Sequence, residues 1–291
     1  MRRCAFLTLA KKGNFVIDDE RAYGPLAELG WQVDAVPWNR EGVNWNDFEL
    51  VVIRSTWDYQ SDPDLFLQVL ADIEASNARL ANPREVVLWN LRKTYLRDLA
   101  ERGVATVPTA WRDRLRPGEL AVLCEQLASN ELVIKPQVGA NADGVFRYTN
   151  TAAQEGDQQE ELEVYYADTP LMAQPFVSSI QAEGEYSLFY FNGEYSHAVL
   201  KTPKANDFRS QEEHGARIKP VEIDSDLLAA GKQALKAVGT TLLYARVDLV
   251  RGSEASDYRL MELELIEPSL YLRMHSLAPS RFAQAIVDLV D

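Results

Sequence analysis

Ionic side chains lie inside three short segments that otherwise have the apolar composition of buried β-strands. Lys135 ends the first segment, Arg246 and Asp248 lie in the second, and Glu262 and Glu264 lie in the third. Burying an unpaired charge costs roughly several kcal/mol, so packing alone does not explain these residues. A lysine on one strand and carboxylates on two others suit an anion bound together with a cation. A nucleoside triphosphate with magnesium fits both requirements.

The three carboxylates are predicted to share one face of a two-stranded hairpin. Glu262 and Glu264 are two residues apart, so on a strand their side chains point to the same side. The polar turn at 252–257 places Asp248 roughly opposite them. Clustered carboxylates repel one another unless a cation joins them, and Mg²⁺ accepts a few carboxylates with phosphate and water oxygens as further ligands. The alternative is an exposed sheet face with solvated acids.

Arg246 is predicted to lie on the same face as Asp248. A guanidinium at that position could stabilise a phosphoryl group during transfer. The alternative is an ion pair with Glu262 or Glu264, which lie on the partner strand.

Two lysines could bind phosphate groups. Lys135 precedes a loop of small residues, 136–144, whose backbone N–H groups could join its ammonium group on a phosphate chain, although a hairpin loop looks similar. The loop is neither a Walker A motif nor a GxGxxG turn. Lys93, predicted just inside a helix, could supply a second ammonium group. The alternative for Lys93 is an exposed helix lysine.

The first eighty residues alternate apolar strands with helices, which predicts a parallel sheet and a Rossmann-like unit at residues 1–84. Asp18 and Asp62 are predicted to cap its two helices. The predicted elements are strand 4–9, helix 18–29, strand 33–37, strand 50–55 and helix 62–76.

Two further units are predicted, a small one at residues 85–175 and a larger one at 176–291. Segment 204–217 in the larger unit is polar and aperiodic, so we expect a long loop that could act as a lid. The predicted elements are helix 91–102, strands 132–135, 145–148 and 171–177, the hairpin 186–191 and 195–200, helix 226–238, strands 242–250 and 259–266, and helix 280–290.

The composition excludes several classes of protein. The chain has 291 residues, 46% of them apolar, and a formal net charge of −14, which disfavours general binding to nucleic acid or to an anionic membrane. Cys4 and Cys124 show no metal or redox spacing, and no stretch approaches the ~20 apolar residues of a membrane span. We therefore expect a cytoplasmic protein whose partners are small molecules, with a homodimer left open.

The order of these motifs resembles the ATP-grasp superfamily from about residue 83 onward. The motifs are the Lys93 segment, Lys-Pro at 135–136 with its small-residue loop, Gln-Pro-Phe-Val at 174–177, Arg-Val-Asp at 246–248 and Glu-Leu-Glu at 262–264. Segments 54–59, 89–93 and 264–269 are similar to the glutathione-synthetase-like branch, and within it to the O-ureido-serine cyclo-ligase of cycloserine biosynthesis and its relatives. The resemblance implies an α/β protein with a Rossmann-like domain followed by two lobes that clamp ATP.

The resemblance also implies roles for individual residues. The nucleotide-binding set would be Lys93 and Lys135 at the α- and β-phosphates, Gly139, Ala140 and Gly144 in a closing loop, Gln174, Pro175, Phe176 and Val177 in a hinge bordering adenine, and Glu183 or Glu185 near the ribose. Asp248, Glu262 and Glu264 would bind magnesium, with Arg246 facing the γ-phosphate and the acyl-phosphate oxyanion. Two features depart from the family pattern: Glu264 stands where asparagine is common, and the loop is poor in glycine.

A substrate site is predicted after the third strand, where open α/β sheets place their ligands. Arg54 could bind a substrate carboxylate through both arms of its guanidinium, and Asp58 could accept an α-ammonium group. Thr56, Trp57 and Ser269 complete this set. The alternative is a structural loop with Trp57 in a domain interface.

The resemblance implies an ADP-forming, ATP- and magnesium-dependent ligase that joins a carboxylate to an amine through an acyl phosphate. Lys201 and Arg209, at the edges of the predicted lid, could contact the acyl phosphate or the substrate; the alternative is solvated surface charge. The substrate is expected to be a small amino acid or derivative. Two alternatives are a ligase that modifies a peptide or protein and a nucleotide-binding module without turnover. A Rossmann oxidoreductase is disfavoured because no glycine-rich turn follows the first strand.

Overall fold

The computed structural model describes residues 1–139, 143–150, 157–205 and 207–291. Ala140, predicted to belong to the phosphate loop, lies outside the described residues. Within these residues the chain forms three sheets: a parallel sheet comes first along the sequence, and two antiparallel sheets follow it.

The first sheet is parallel, with strand order β2-β1-β3-β4. Its elements are β1 (Arg2–Thr8), α1 (Tyr23–Glu28), β2 (Trp31–Pro37), β3 (Leu50–Ser55), α2 (Pro63–Glu74) and β4 (Arg79–Ala81). Asp62 caps α2 as predicted, since its carboxylate accepts a hydrogen bond from the N–H of Leu65 at 3.1 Å. Asp18 provides no such cap, and a 3₁₀ turn at Asp19–Ala22 precedes α1 instead. The α/β prediction is confirmed.

The second sheet is antiparallel, with strand order β5-β8-β6-β7. Its elements, with the helices around them, are α3 (Arg84–Asn90), α4 (Tyr95–Glu101), β5 (Ala110–Arg112), α5 (Glu119–Gln126), β6 (Glu131–Pro136), β7 (Phe146–Thr149), α6 (Asp157–Tyr165) and β8 (Leu171–Pro175). The predicted helix at 91–102 is corrected here, because α4 begins only at Tyr95. Lys93 therefore lies in the turn between α3 and α4, where its N–H donates to the carbonyl of Gln137 at 2.8 Å.

The third sheet is antiparallel, with strand order β11-β10-β9-β12-β13. Its elements and the remaining helices are α7 (Ser179–Ala182), β9 (Glu185–Phe191), β10 (Glu194–Thr202), β11 (Arg217–Pro220), α8 (Ser225–Lys236), β12 (Tyr244–Arg251), β13 (Tyr258–Glu264) and α9 (Ala278–Val290). Asn192 and Gly193 turn the β9–β10 hairpin with positive φ angles of 47° and 82°, as the Asn-Gly pair predicts.

The parallel sheet and the third sheet share a hydrophobic core. Phe6 from β1, Phe189 from β9 and Phe282 from α9 belong to one buried cluster. Asn82, which follows β4 with a φ of 57°, donates to the carbonyls of Tyr244 and Leu265 at 2.9 and 2.8 Å. These contacts fix the carboxyl end of the parallel sheet against the start of β12 and the end of β13.

Candidate active site

A cavity of about 240 Å³ lies where the three sheets meet. Side chains from each sheet or its loops line it, which is how residues far apart in sequence reach one site. Those from the first 95 residues include Phe15, Trp57, Tyr59 and Lys93; those from the small sheet include Lys135, Gln174 and Phe176; and those from the third sheet and its loops include Glu185, Lys201, Arg209, Arg246, Glu262, Glu264, Glu267 and Ser269.

The register of β12 and β13 brings the three predicted carboxylates together. Asp248 is paired directly with Glu262, and Arg246 with Glu264. One oxygen from each of Asp248, Glu262 and Glu264 lies within 4.8 Å of the others. Because alternate residues of a strand share a face, the Glu-x-Glu spacing is sufficient to produce this cluster once the hairpin register is set.

Arg246 and Lys201 neutralise Asp248, which is only 1% exposed. Arg246 donates from Nη2 to Oδ2 of Asp248 at 2.9 Å and also pairs with Glu264, so the alternative predicted for Arg246 is present in this structure. Lys201 lies 3.3 Å from Oδ2 of Asp248 and also pairs with Glu185. Burial raises the pKa of Asp248, but the two cations outweigh it, so the carboxylate stays ionised.

Lys93 and Glu262 form an ion pair across the cavity. Burial alone would raise the pKa of Glu262, but the charges of Lys93 and then Lys135 lower it overall. Burial has the opposite effect on Lys93, and there the charge of Glu262 prevails and raises the pKa. A cation bound by Glu262 would replace Lys93 as the partner of this carboxylate, and the ammonium group of Lys93 could then pair with another anion.

Lys135 faces the same cavity without a carboxylate partner. Its Nζ lies 3.9 Å from Sδ of Met261, and no Asp or Glu in the described residues lies within 4.0 Å of it. Burial lowers the pKa of Lys135 to about 8, and the neighbouring Lys93 adds to this effect. An ammonium group that is partly buried and unpaired suits a phosphate oxygen as its missing partner.

Glu264 has the most perturbed carboxyl group of the cluster. Burial raises its pKa to about 8, and the charges of Glu262 and Asp248 raise it further against the pull of Arg246. Oxygen-only ligands, crowded and partly desolvated, match what Mg²⁺ prefers, and a divalent cation would relieve their mutual repulsion. The donor set therefore fits magnesium.

The predicted hinge and loop residues reach the cavity only in part. Gln174, Pro175, Phe176 and Val177 line it, and Gly139 does so as well. Gln174 is 2% exposed and donates from Nε2 to Oγ1 of Thr109 at 3.0 Å. These four residues connect the small sheet to the third sheet, as the hinge prediction requires.

Gly144 takes a structural role beside the cavity. Its φ is 65°, and a Cβ there would lie 2.3 Å from the hydroxyl of Tyr165, so glycine is required. Its carbonyl accepts a hydrogen bond from the hydroxyl of Tyr166.

Of the two glutamates predicted near the ribose, only Glu185 lines the cavity. Glu183 lies outside it, where Arg251 donates to its carboxylate at 2.9 Å and Tyr186 donates to it as well. Of these two alternatives the structure favours Glu185, because the carboxylate of Glu183 is used in a pair beside β12.

The structure places three of the predicted substrate residues, Arg54, Thr56 and Asp58, outside the cavity lining. Arg54 is 1% exposed and donates to Asp19 at 3.0 Å and to the carbonyl of Pro268 at 2.9 Å, so it cannot bind a ligand carboxylate. Asp58 accepts from the indole N–H of Trp38 at 2.7 Å. Thr56 is completely buried, away from the cavity. The alternative of a structural loop describes these three residues.

Trp57 has both of the roles considered for it. Its ring lines the cavity and lies 5.1 Å from the ring of Phe15. Its indole N–H donates to the carbonyl of Glu267 at 2.8 Å, which ties the loop after β3 to the loop after β13.

The predicted lid forms one wall of the cavity through residues 208–213. Arg209 lies there, but Asp207 accepts two arms of its guanidinium at 2.8 and 3.1 Å. Gln181 donates to the carbonyl of Asp207 at 3.1 Å, and the ring of Phe208 meets that of Phe176 edge to face. Contact of Arg209 with a substrate requires exchange of this ion pair.

Several residues of the cavity wall were not predicted as site residues from the sequence, among them Glu267 and Tyr271. Glu267 belongs to the segment 264–269 that carried the family resemblance, which is the signal that could have identified it. Tyr271 has a φ of 45° and also lines the cavity. Only the packing of these loops against each other turns their side chains to the same space.

A parallel α/β sheet followed by two antiparallel sheets, with lysines facing a carboxylate cluster, is the arrangement of an ATP-grasp ligase. Two family models match the chain: the N-terminal domain of D-cycloserine synthetase DcsG over residues 4–82, and the ATP-grasp domain of prokaryotic glutathione synthetase over residues 119–271. The chain belongs to the ATP-grasp ligases, which use ATP, and is an enzyme of the C–N bond-forming class.

Two curated relatives are similar to this chain in sequence. The cycloserine biosynthesis protein DcsG of Streptomyces lavendulae is 33% identical over 290 residues, which cover 91% of this chain and 92% of that protein. A glutathione synthetase of Prochlorococcus marinus (strain MIT 9313) is 30% identical over 187 residues, or 56% of this chain and 59% of that protein.

Solved structures show the same fold. The crystal structure of D-cycloserine synthetase DcsG has a TM-score of 0.82 at 30% identity, covering 99% of this chain and 100% of that one. A D-alanine–D-alanine ligase from Bacillus anthracis has a TM-score of 0.70 at 14% identity, covering 100% of this chain and 97% of that one, a likeness of fold alone. In the part of the chain that the structure describes, no helix is long and apolar enough to cross a membrane.

Proposed function

We propose that this enzyme uses ATP and Mg²⁺ to convert the carboxylate of a small amino acid or derivative into an acyl phosphate, which an amine then attacks. The observation that carries the proposal concerns Lys135: its ammonium group has no carboxylate partner among the described residues, and it shares one cavity with Glu262 and Glu264 of the carboxylate cluster. The phosphate chain of ATP would pair with the ammonium group, and a divalent cation would pair with the carboxylates.

The chemistry follows from the reactivity of a carboxylate. Its oxygen is a poor leaving group, and transfer of a phosphoryl group from ATP makes that oxygen a good one. Arg246 and Lys201 would offset the negative charge that accumulates where two anions approach. Magnesium, held by Asp248, Glu262 and Glu264, would supply charge neutralisation at the transferred phosphoryl group. The walls formed by residues 208–213 would limit access of water to the acyl phosphate.

Charge balance supports a ligand that carries its own counter-ion. The cavity lining carries more acids than cations: the acids are Asp143, Glu185, Glu212, Glu213, Glu262, Glu264 and Glu267, and the cations are Lys93, Lys135, Lys201, Arg209 and Arg246. A site with an excess of negative charge disfavours uptake of a polyanion alone. ATP is therefore expected to bind together with magnesium.

The experiment that tests this proposal measures release of ADP and phosphate with ATP, magnesium and a panel of L- and D-amino acids and dipeptides. Hydroxylamine added to the same reactions should convert an acyl phosphate to a hydroxamate, which is read by its colour with ferric ion. Glu262→Gln should reduce turnover at least 100-fold, whereas Glu160→Gln, an exposed change on α6, should leave it unchanged. If Glu262→Gln preserves metal-dependent turnover, the metal assignment is wrong.

A second candidate is a ligase that modifies a peptide or protein. Peptides in the panel separate the two, because turnover stimulated by dipeptides but by no amino acid would favour the peptide ligase. ATP binding without turnover on any substrate would favour a nucleotide-binding module.

A further inference from the structure

One part of the cavity wall is built by the loops after β3 and β13. Trp57 and Tyr59 come from the first loop, and Glu267 and Ser269 from the second. The ring of Tyr59 stacks on that of Phe66 with centroids 4.5 Å apart, so this wall is rigid and largely aromatic. None of the residues assigned above to the nucleotide or the metal comes from these two loops.

Glu267 is a partly exposed carboxyl group in this wall with no cationic partner. Among the described residues no Lys, Arg or His nitrogen lies within 4.0 Å of it. The arginine whose charge acts on Glu267, Arg246, is already paired with Asp248 and Glu264, and Arg54 is paired with Asp19. Among the described residues, a small substrate that enters here meets an acidic group and no free guanidinium.

The backbone around Glu267 is held by three hydrogen bonds from other parts of the chain. Tyr244 donates to the carbonyl of Ile266 at 2.7 Å, Trp57 to that of Glu267 at 2.8 Å and Arg54 to that of Pro268 at 2.9 Å. Three consecutive carbonyls thus accept hydrogen bonds from side chains of other segments, two of them fully buried. Such support fixes the position of the carboxyl group before any ligand binds, as a catalytic group requires.

From this placement we propose that Glu267 binds the amine nitrogen of the nucleophilic substrate and accepts its proton. This inference rests on the proposed function. The wall of Phe15 and Trp57 offers aromatic faces to the same cationic group. The proposal moves the ammonium-binding role predicted for Asp58 to Glu267.

The proton and electron balance is simple. Glu267 takes one proton from the ammonium group and leaves a neutral amine. The lone pair of that nitrogen forms the C–N bond, the C–O bond to phosphate breaks, and its electron pair leaves with the phosphate. The second nitrogen proton passes to the departing phosphate, and Glu267 returns its proton to solvent when the product leaves.

The surroundings of Glu267 support proton acceptance near neutral pH. Burial raises its pKa to about 7, and the hydroxyl of Tyr59 and the charges of Arg246 and Lys93 oppose this rise. The charge of Glu267 in turn raises the pKa of Glu264. A base with a pKa close to the working pH is the most effective in general-base catalysis.

The test compares Glu267→Gln with wild type in two reactions, using whichever amino acid of the panel supports turnover. Hydroxylamine is the probe, because it is largely uncharged at pH 7 and attacks an acyl phosphate without a base. Glu267→Gln should lose about 100-fold or more of its ADP release without hydroxylamine, the range for a lost general base. Hydroxylamine should restore ADP release and yield hydroxamate within about threefold of wild type.

The possible outcomes separate the two proposals. Equal loss of turnover with and without hydroxylamine, or no loss at all, would overturn the role of Glu267 and leave the proposed function standing. Absence of hydroxamate and ADP from wild type with every carboxylate would overturn the proposed function, and this inference with it. If Glu267→Gln does not fold, Glu267→Asp gives the same comparison, with a loss of at least about tenfold that hydroxylamine rescues; Glu160→Gln is the matched control.

Discussion

Replacing Lys135 with methionine should stabilise the ligand-free protein and weaken its binding of ATP. The ammonium group of Lys135 is partly buried and has no carboxylate partner among the described residues. Its pKa is lowered to about 8 from an ordinary value of 10.5, mainly by burial. By the conversion of about 1.4 kcal/mol per pKa unit, the charged lysine costs the folded state about 3 kcal/mol at pH 7.

A methionine removes this cost and fits beside Met261, whose sulfur the ammonium group already approaches at 3.9 Å. We expect Lys135→Met to raise the free energy of unfolding by about 1 to 3 kcal/mol, which for a chain of this size corresponds to about 2 to 6 °C in Tm. The same change removes a charge-assisted hydrogen bond to phosphate worth about 1.5 to 3 kcal/mol. Affinity for ATP should therefore fall about 10- to 150-fold.

The pH dependence has a definite sign. A lysine whose folded pKa is depressed destabilises the protein fully below that pKa, and the penalty disappears as pH rises toward the unfolded value. The advantage of Lys135→Met should thus be complete at pH 7 and shrink between about pH 8 and pH 10.5. Thermal unfolding across this range, with isothermal titration of ATP and magnesium at pH 7, measures both effects.

Lys232→Met, the same substitution at an exposed site on α8, is the matched control and should change neither quantity. A variant at Lys135 that is less stable than wild type at pH 7, or that binds ATP equally well, would refute the reasoning.

Three further changes test the packing around the site. Lys201→Met should lower the free energy of unfolding, measured by urea titration, by about 3 to 5 kcal/mol. Two buried carboxylates, Glu185 and Asp248, lose the cation that they share. Asn82→Ala should cost about 3 kcal/mol or more, because three buried backbone groups lose their partner and the φ of 57° disfavours alanine. Gly231→Ala should lower the free energy of unfolding by about 1 to 3 kcal/mol, and with it Tm, since its Cβ would lie 2.4 Å from the hydroxyl of Tyr190. Gly24→Ala is the control: its Cβ meets no atom within 4 Å, so this variant should be neutral or stabilising.

Much of the fold could be predicted from local patterns. The alternation of strands and helices in the first eighty residues predicts the parallel sheet, and Asn192-Gly193 predicts the β9–β10 hairpin. Short elements such as β5 and α7 were missed, because three or four residues carry too little periodicity to stand out. The helix at 91–102 was predicted wrongly at its start, since the turn that holds Lys93 depends on a hydrogen bond to Gln137, more than forty residues away.

The sequence by itself determined which charges would meet at the carboxylate cluster. Side chains two apart on a strand share a face, and a short turn sets the register, so Asp248, Glu262 and Glu264 had to converge. Only the tertiary structure decided which other polar residues remain available to a ligand. Arg54 and Glu183 look as capable as Glu267 in the sequence, yet packing between sheets gives each of the first two an ion-pair partner and leaves Glu267 without one in the part of the chain that the structure describes. Local periodicity cannot specify such pairing, because it depends on contacts between segments that are remote in the chain.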